Sequence, residues 1–371
     1  MHPTDIYNAH VRAFNIFKER APRGSILVFT GIVGSHAYGT ADEASDLDIA
    51  GAFIPPIDYL LGQKRIDQIE YKSHGECDIT LYALPKLIAL LSKCNPNIVE
   101  FLFLPDSLVW GNEYYERLIT ERHIFLSKRA RYTFSGYAIS QLKRIQRHRA
   151  WLLNPPKRQP TRADFDLPDT TKLSTDVLGA FNSLLAQRLE DVAQLHELRA
   201  QLLEAGDMLP GWDAIAQTAM DEEAVLALTD IPRDIVRMIM QEKAYQAALS
   251  HWKSYLNWKE NRNPKRAEME KQFGMDCKHA SHLMRLIYEG KELLLTGKIT
   301  LPCTEVALLK EIKVGVWSYE RLMEEVNEID REFDQWYKES PLPRAPNPDE
   351  IDKLCITLLR GQVEGNLWRY E

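Results

Sequence analysis

The chain has few cysteines for its length, and they do not form pairs. Five cysteines are spread over 371 residues, at positions 77, 94, 277, 303 and 355. Disulfide frameworks and structural zinc sites rest on an even set of cysteines or on closely spaced pairs, and the sequence has neither. The pattern therefore predicts reduced thiols and a cytoplasmic protein.

Long apolar runs are also lacking. No segment reaches the roughly 20 consecutive apolar residues of a membrane-spanning helix. The segment from Met1 to Asp5 lacks the basic start and apolar stretch of a signal peptide. No internal repeat or low-complexity tract is visible. Because 45% of the residues are hydrophobic, we expect a soluble protein with room for two domains and no membrane partner.

Acidic residues are missing from residues 122–163, although the whole chain has a net charge of −7. An apolar helical stripe runs through this basic segment, and Lys143, Arg144 and Arg147 lie on the opposite face of the predicted helix. One interpretation is an ordinary solvated face. Such faces usually mix both signs of charge, however, so we favour a surface for a polyanion and predict RNA binding by these three residues.

The most informative segment runs from Val33 to Ile49 and contains Gly34-Ser35 followed by Asp46-Leu47-Asp48. Apolar, β-rich runs flank it at residues 25–32 and 48–54, as expected for buried strands. Residues two apart in a strand project to the same face, so Asp46 and Asp48 lie together. Two neighbouring carboxylates repel unless a cation separates them, and Mg²⁺ prefers oxygen ligands. A glycine turn with free backbone amides suits phosphate oxygens.

This combination resembles the DNA polymerase β-like nucleotidyltransferase superfamily. The resemblance implies a third acidic residue on a neighbouring strand of the same sheet. Asp78 is the favoured candidate because it opens the β-rich run 78–84, while Glu76 would share its face if that strand began earlier.

With three carboxylates, the superfamily chemistry is a two-metal phosphoryl transfer. One Mg²⁺ is expected on Asp46, Asp48 and Asp78, and a second on Asp46 and Asp48, with Mn²⁺ able to substitute. The resemblance also implies that Asp78 can accept the proton of the attacking hydroxyl. Gly34 and Ser35 are expected to bind the nucleotide phosphates.

Two further side chains of the same turn, His36 and Tyr38, are candidates for nucleotide binding. A histidine beside a phosphate loop can donate to phosphate, but a structural role is an equal alternative.

A second motif lies in a predicted helix near the C-terminal third of the chain. Asp276 fits an N-cap, and Lys278, His282, Arg285 and Glu289 lie on one helical face. Either this face is an ordinary exposed polar surface, or Lys278 and Arg285 face the cleft and bind the triphosphate or acceptor phosphates, with His282 as a further nucleotide-binding candidate. The nearby Cys277, His279 and His282 do not have the spacing of a closed set of four zinc ligands.

Together these motifs resemble the RlaP-type nucleotidyltransferases, bacterial and phage proteins also known as YcgL-type. The resemblance spans roughly residues 25–300. It rests on Gly-Ser-His-Ala-Tyr-Gly-Thr, on Ser-Asp-Leu-Asp, on the strand of Asp78, on Asn95-Pro96-Asn97 with Glu100, and on Lys-His-Ala-x-His-x-x-Arg-Leu. Some members are linked to RNA-ligase repair operons, which implies a role in RNA repair.

The predicted fold class is α+β, with a small mixed-sheet nucleotidyltransferase domain at residues 1–125 and a mainly α-helical domain at residues 126–371. An N-terminal helix is predicted at about residues 3–19, a hairpin strand at 66–73 and a helix at 84–94. Later helices are predicted at about residues 174–205, 231–260, 264–273, 276–296, 318–339 and 349–364. The insert at residues 151–227 follows no recognised pattern.

The expected activity is Mg²⁺-dependent transfer of a nucleoside monophosphate from an NTP to a hydroxyl acceptor, with an RNA or tRNA end as the favoured acceptor. Alternatives are nucleotidylation of a protein side chain or a small molecule, and a catalytically silent nucleotide or RNA sensor. Because Asp46, Asp48 and Asp78 are all present, the sensor is the least favoured. The sequence does not indicate which NTP is used, how many nucleotides are added, or an oligomeric state.

Overall fold

The computed structural model describes residues 2–43, 45–73, 77–169, 173–195, 222–262 and 264–367. The chain divides into two compact units, the first made of residues 1–143 and 277–371 and the second of residues 144–276. This grouping differs from the predicted division at residue 125, because the C-terminal helices belong to the same unit as the sheet. Such contacts join residues far apart in sequence, which local patterns do not report.

The first unit contains a five-stranded mixed sheet in the order β3-β4-β2-β1-β5. Its strands are β1 (Ile26–Val33), β2 (Leu47–Ile54), β3 (Gln68–Lys72), β4 (Cys77–Ala83) and β5 (Val109–Gly111). Strand β2 pairs antiparallel with β1 and parallel with β4. The short edge strands β3 and β5 pair antiparallel with β4 and β1.

Helices precede, connect and follow these strands. Those of the first unit are α1 (Pro3–Arg20), α2 (Ser35–Tyr38), α3 (Ile57–Leu60), α4 (Leu84–Ser92), α5 (Pro96–Val99), α6 (Glu113–Thr120), α12 (Cys277–Thr296), α13 (Val306–Lys313), α14 (Tyr319–Glu339) and α15 (Pro348–Leu367). Three 3₁₀ turns lie at Glu100–Phe103, Asp106–Leu108 and Arg122–Phe125. The chain passes into the second unit within α7 (Ala130–Leu153).

Helix α1 shows how sequence signals fix an element against the sheet. Pro3 occupies the first helical turn, and His2 and Asp5 form a reciprocal capping box that satisfies free backbone amides. The inward face of the helix packs with apolar residues of β1, β2 and β4 in one core. Its buried residues include Ala9, Ala13, Ile16 and Phe17.

The second unit is helical over its described residues. It contains the end of α7, a 3₁₀ turn at Arg162–Phe165, and the helices α8 (Thr175–Leu195), α9 (Glu222–Leu228), α10 (Arg233–Asn261) and α11 (Pro264–Phe273). Helices α8, α9 and α10 share an apolar core that includes Phe181, Val225 and Val236. Part of the insert, residues 196–221, lies outside the described residues.

The predicted α+β class, with a small mixed sheet followed by a mainly helical region, is confirmed. Among the helices that the structure describes, none is both long and apolar enough to cross a membrane.

Candidate functional site

The aspartates singled out from the sequence meet at one edge of the sheet. In the parallel pairing of β2 with β4, Asp48 lies directly beside Asp78. On its other side Asp48 pairs with Val33, the last residue of β1 before the Gly34-Ser35 turn. Asp46 is exposed and comes immediately before β2. Because aligned residues of adjacent strands project from the same face, Asp48 and Asp78 present their carboxylates together.

The Asp48 carboxylate lies against the glycine turn. A Cβ atom placed on Gly34 would stand 2.5 Å from Oδ2 of Asp48, and Gly34 has a φ of +66°. Glycine is therefore required here both for the backbone conformation and for the space that the carboxylate occupies. Burial raises the pKa of Asp48, the ammonium of Lys278 lowers it, and the carboxylates of Asp78 and Asp46 raise it further.

The three aspartates are neighbours, but their oxygens are not gathered into a tight ligand set. Within the described ranges, the set of three histidine, cysteine or acidic residues whose ligand atoms all lie within 4.8 Å is His148, Glu270 and Asp276, in the second unit. Glu270 of that set is also bound by Arg262 at 3.1 Å. The alternative third carboxylate, Glu76, lies outside the described residues.

The turn after β1 is built by backbone hydrogen bonds. The carbonyl of Ser35 accepts from the amides of Thr40 and Ala41 at 2.9 and 3.0 Å. Gly39 ends α2 in the left-handed region, with φ +78°. The Ser35 hydroxyl has no hydrogen-bond partner among the residues that the structure describes. It is therefore available to a ligand at the edge where Asp48 lies.

His36 contributes to the shape of this loop. It forms a hydrogen bond with the backbone of Ser45, and burial lowers its pKa. The imidazole therefore contacts the segment that leads into Asp46. This contact fits the structural alternative, while phosphate binding by His36 stays a prediction.

Lys313 on α13 holds the same loop, and sequence reasoning did not find it. Its ammonium contacts the Asp42 carboxylate at 2.7 Å and donates to the Thr40 carbonyl at 2.9 Å. A longer contact of 3.4 Å reaches the Ser45 hydroxyl. No local motif marks this lysine, because its partners lie far away in sequence.

Arg285 does not face an open cleft, in contrast to one of the two alternatives, and it is not part of an exposed polar face either. Its side chain is 3% exposed and is bound to the carboxylates of Glu100 and Glu289 at 3.1 and 2.7 Å. Its second terminal nitrogen lies 3.1 Å from Nδ1 of His282. Tyr38 donates its hydroxyl hydrogen to Glu100. Arg285 and Tyr38 are therefore engaged inside the protein.

Lys278 has a different environment, although it shares a helix face with Arg285. It is exposed at the start of α12, and its charge acts on Asp48. Lys278 and Arg285 are the basic residues predicted to bind the nucleotide. Of these two, Lys278 is exposed and acts on the aspartate edge.

The basic face of α7 is exposed as predicted, since Lys143, Arg144 and Arg147 all face solvent while Phe134 and Ile145 are fully buried. Other basic residues of the segment have acidic partners: Arg131 binds Asp334 in the first unit, and Arg158 and Arg162 bind Asp164 and Glu242 in the second. Within the described chain, Lys143, Arg144 and Arg147 have no such ion pair. The exposed surface of positive charge without acidic partners is therefore smaller than the whole basic segment at residues 122–163.

Residues 9–153 match the RlaP family, described as the RNA repair pathway DNA polymerase beta family. The predicted family resemblance is confirmed over that region, which holds the sheet, the Gly34-Ser35 turn and the three aspartates. The motif from Lys278 to Arg285 lies outside the matched residues. No curated protein and no solved structure shows a significant match to the chain.

Proposed function

We propose that this protein transfers a nucleoside monophosphate from an NTP to a hydroxyl at an RNA end. The match to a polymerase β-like RNA repair family supports the transferase class. The observation that carries the proposal is the alignment of Asp48 with Asp78 across β2 and β4, beside the Gly34-Ser35 turn. That arrangement brings acidic oxygens and phosphate-binding groups to one edge of the sheet.

The donor set at this edge fits a hard divalent cation. Asp48 already occupies space that Gly34 leaves open, and its pKa is raised first by burial and then by two neighbouring carboxylates, which would repel it less with a cation between them. Asp46, Asp48 and Asp78 would hold the metal, with Mg²⁺ favoured and Mn²⁺ a possible substitute. When bound, such ions lower the pKa of an attacking hydroxyl and offset charge on phosphate oxygens.

The protein's own residues account for the remaining roles. Ser35 and the backbone amides of its turn would bind the β- or γ-phosphate, and Lys278 would neutralise phosphate charge at the same edge. The acceptor hydroxyl oxygen forms a bond to the α-phosphorus while the bond from that phosphorus to the bridging oxygen breaks and pyrophosphate leaves. Asp78 is the group proposed to accept the hydroxyl proton.

RNA is the acceptor that the charge distribution favours. Lys143, Arg144 and Arg147 form an exposed positive face on α7 that is unpaired within the described residues. A small-molecule acceptor would have no use for such a surface, whereas a phosphodiester chain binds it through charge.

The proposal is tested by incubating the protein with each of the four α-³²P-labelled NTPs, Mg²⁺, total cellular RNA and total protein. A labelled RNA band that is lost with Asp48→Asn supports the proposal and identifies the base. Label in a protein band would replace RNA with a protein acceptor. Label in neither fraction would contradict transfer to a macromolecule.

A further inference from the structure

One buried cluster of charged side chains joins three distant segments of the first unit. Glu100 comes from the 3₁₀ turn after α5, Arg285 and Glu289 come from α12, and Tyr38 comes from the turn beside the aspartates. Glu100, Arg285 and Glu289 are each 3% exposed. Two motifs of the sequence, the one ending in Glu100 and the one ending in Arg285, therefore meet in space.

Tyr38 is fixed in three directions. Its hydroxyl donates to the Glu100 carboxylate, with oxygens at 2.8 and 3.0 Å. Its ring faces the guanidinium of Arg285, whose carbon lies 4.0 Å from the ring centre. Its backbone carbonyl accepts from the amide of Cys303 at 3.2 Å. Each contact restrains the last residue of α2, and so the end of the turn that begins at Gly34.

The packing beside Tyr38 leaves little freedom for this turn. A Cβ on Gly39 would lie 2.9 Å from Cβ of Pro302, the residue before Cys303. Cys303 in turn lies with its sulfur 3.7 Å from Glu289. The turn is therefore enclosed by the segment after α12 as well as by α12 itself.

The cluster is not arranged as a stabilising ion pair alone. Two buried carboxyl groups share a single guanidinium, and burial raises the pKa of both Glu100, to about 8, and Glu289. Within the described residues, Nε of Arg285 has no hydrogen-bond partner. Buried ion pairs contribute little net stability compared with well-packed apolar residues. An arrangement that fixes orientation is a better account of these residues.

Helix α12 also lies within electrostatic range of Asp48. Lys278, at its start, acts on Asp48, and Arg285 lies seven residues further on. Seven residues are two helical turns, or about 10 Å along the axis. A single helix thus places a charge that acts on Asp48 at one point and a side chain that packs on Tyr38 at another.

We propose that Arg285 and Glu100 are positioning residues that hold Tyr38 and thereby fix the Gly34–Gly39 turn in the conformation that binds the nucleotide phosphates. This inference rests on the proposed function. It assigns the Lys278–Arg285 motif the task of setting the distance between the aspartates and the turn.

The test compares Tyr38→Phe with Tyr288→Phe. Both replacements remove a tyrosine-to-glutamate hydrogen bond. Tyr288 lies on α12, the helix of Arg285, and donates to Glu325 at 3.2 Å. Binding of methylanthraniloyl-labelled ATP, GTP, CTP and UTP is measured with Mg²⁺, together with KM, kcat and the thermal midpoint. Tyr38→Phe should weaken nucleotide affinity and raise KM about fivefold, as expected for loss of a buried hydrogen bond that holds the turn. Tyr288→Phe should leave both unchanged.

Arg285→Lys and Glu100→Gln extend the test without removing the whole cluster. Arg285→Lys keeps the positive charge but removes the guanidinium plane that faces Tyr38, so the KM for the nucleotide should rise. The thermal midpoints of Arg285→Lys and Glu100→Gln should be similar. Equal KM values for the wild type and Tyr38→Phe would overturn the inference while leaving the proposed function intact. A wild-type protein that binds none of the four nucleotides would overturn both.

Discussion

The two units differ in how fully basic side chains compensate the carboxylates near them. In the second unit Arg162 meets Glu242 one to one, with two hydrogen bonds of 3.0 and 2.8 Å. In the first unit Arg285 is shared between Glu100 and Glu289, and Asp48 has two neighbouring carboxylates but, within the described chain, a single nearby ammonium, that of Lys278. A fully compensated pair holds segments together, whereas an excess of carboxylates either fixes the orientation of a neighbouring side chain, as around Arg285, or is available to a ligand, as at Asp48. The contrast indicates which of the acidic residues act in function and which in stability.

The largest effect is expected from removing an uncompensated carboxylate. Asp48→Asn should lower kcat about a thousandfold, because metal coordination supplies several kcal/mol of transition-state stabilisation. It should leave the thermal midpoint unchanged or higher, since a repulsive charge is lost. The matched control is Asp164→Asn, which breaks the compensated pair with Arg158 and the cap on Thr161. A loss of activity with the control and not with Asp48→Asn would reverse the comparison.

Much of the fold follows from local sequence patterns. The predicted N-terminal helix, the strands at residues 25–32 and 48–54 and the helix at 264–273 agree with α1, β1, β2 and α11 within about two residues at each end. Capping residues and apolar runs mark these elements because they act within a few positions. The three-residue strand β5 and the helix α13 were not predicted, since neither has a long periodic pattern.

The site shows the same limit. The neighbouring position of Asp48 and Asp78 is expected from the superfamily resemblance, because each falls in a run with a strand pattern. The burial of Arg285 could not be predicted, since its partner Glu100 is 185 residues away and only tertiary packing brings them together. The contact of Lys313 with Thr40 could not be predicted for the same reason, since 273 residues separate the two.

A second prediction concerns exposed rather than buried uncompensated charge. Replacing Lys143, Arg144 and Arg147 with Glu should weaken RNA binding by at least about tenfold and reduce the salt slope by about two, if each contacts one phosphate of a single strand. Affinity is measured from 50 to 300 mM salt in roughly even steps of log concentration. The control replaces Arg233 and Arg237 with Gln, since both already pair with Glu222. An unchanged slope in the triple variant would make this face an ordinary solvated surface.

A third prediction concerns the opposite pH dependence of the two buried pairs. Burial raises the pKa of Glu100 to about 8, so the folded state binds more protons than the unfolded state between about pH 4.5 and 8. The contribution of Glu100 to the free energy of unfolding is complete below pH 4.5 and is lost as the pH rises from about 4.5 to 8. Arg162 lowers the pKa of Glu242, so that contribution is present above pH 4.5 and is lost in acid.

These signs are checked by the thermal midpoint as a function of pH for Glu100→Gln and Glu242→Gln. Glu100→Gln should remove the decline of the thermal midpoint between pH 5 and 8. Glu242→Gln should lower the thermal midpoint by roughly 5 °C at pH 7 and by less at pH 4. The control is Glu328→Gln on the exposed side of α14. Identical pH profiles for the two variants would remove the distinction between the pairs.

The smallest expected effect separates two lysines of α12. Lys278 is exposed beside Asp48, whereas the ammonium of Lys291 lies over the ring of Trp336, 4.8 Å from its centre. Lys278→Ala should raise KM for the nucleotide about fivefold with little change in kcat, because a single exposed charge contributes about 1 kcal/mol to binding a phosphate. Lys291→Ala should change stability and not KM. Equal KM values for both variants would mean that the acidic edge binds the triphosphate without α12, and would leave the turn as its sole phosphate contact.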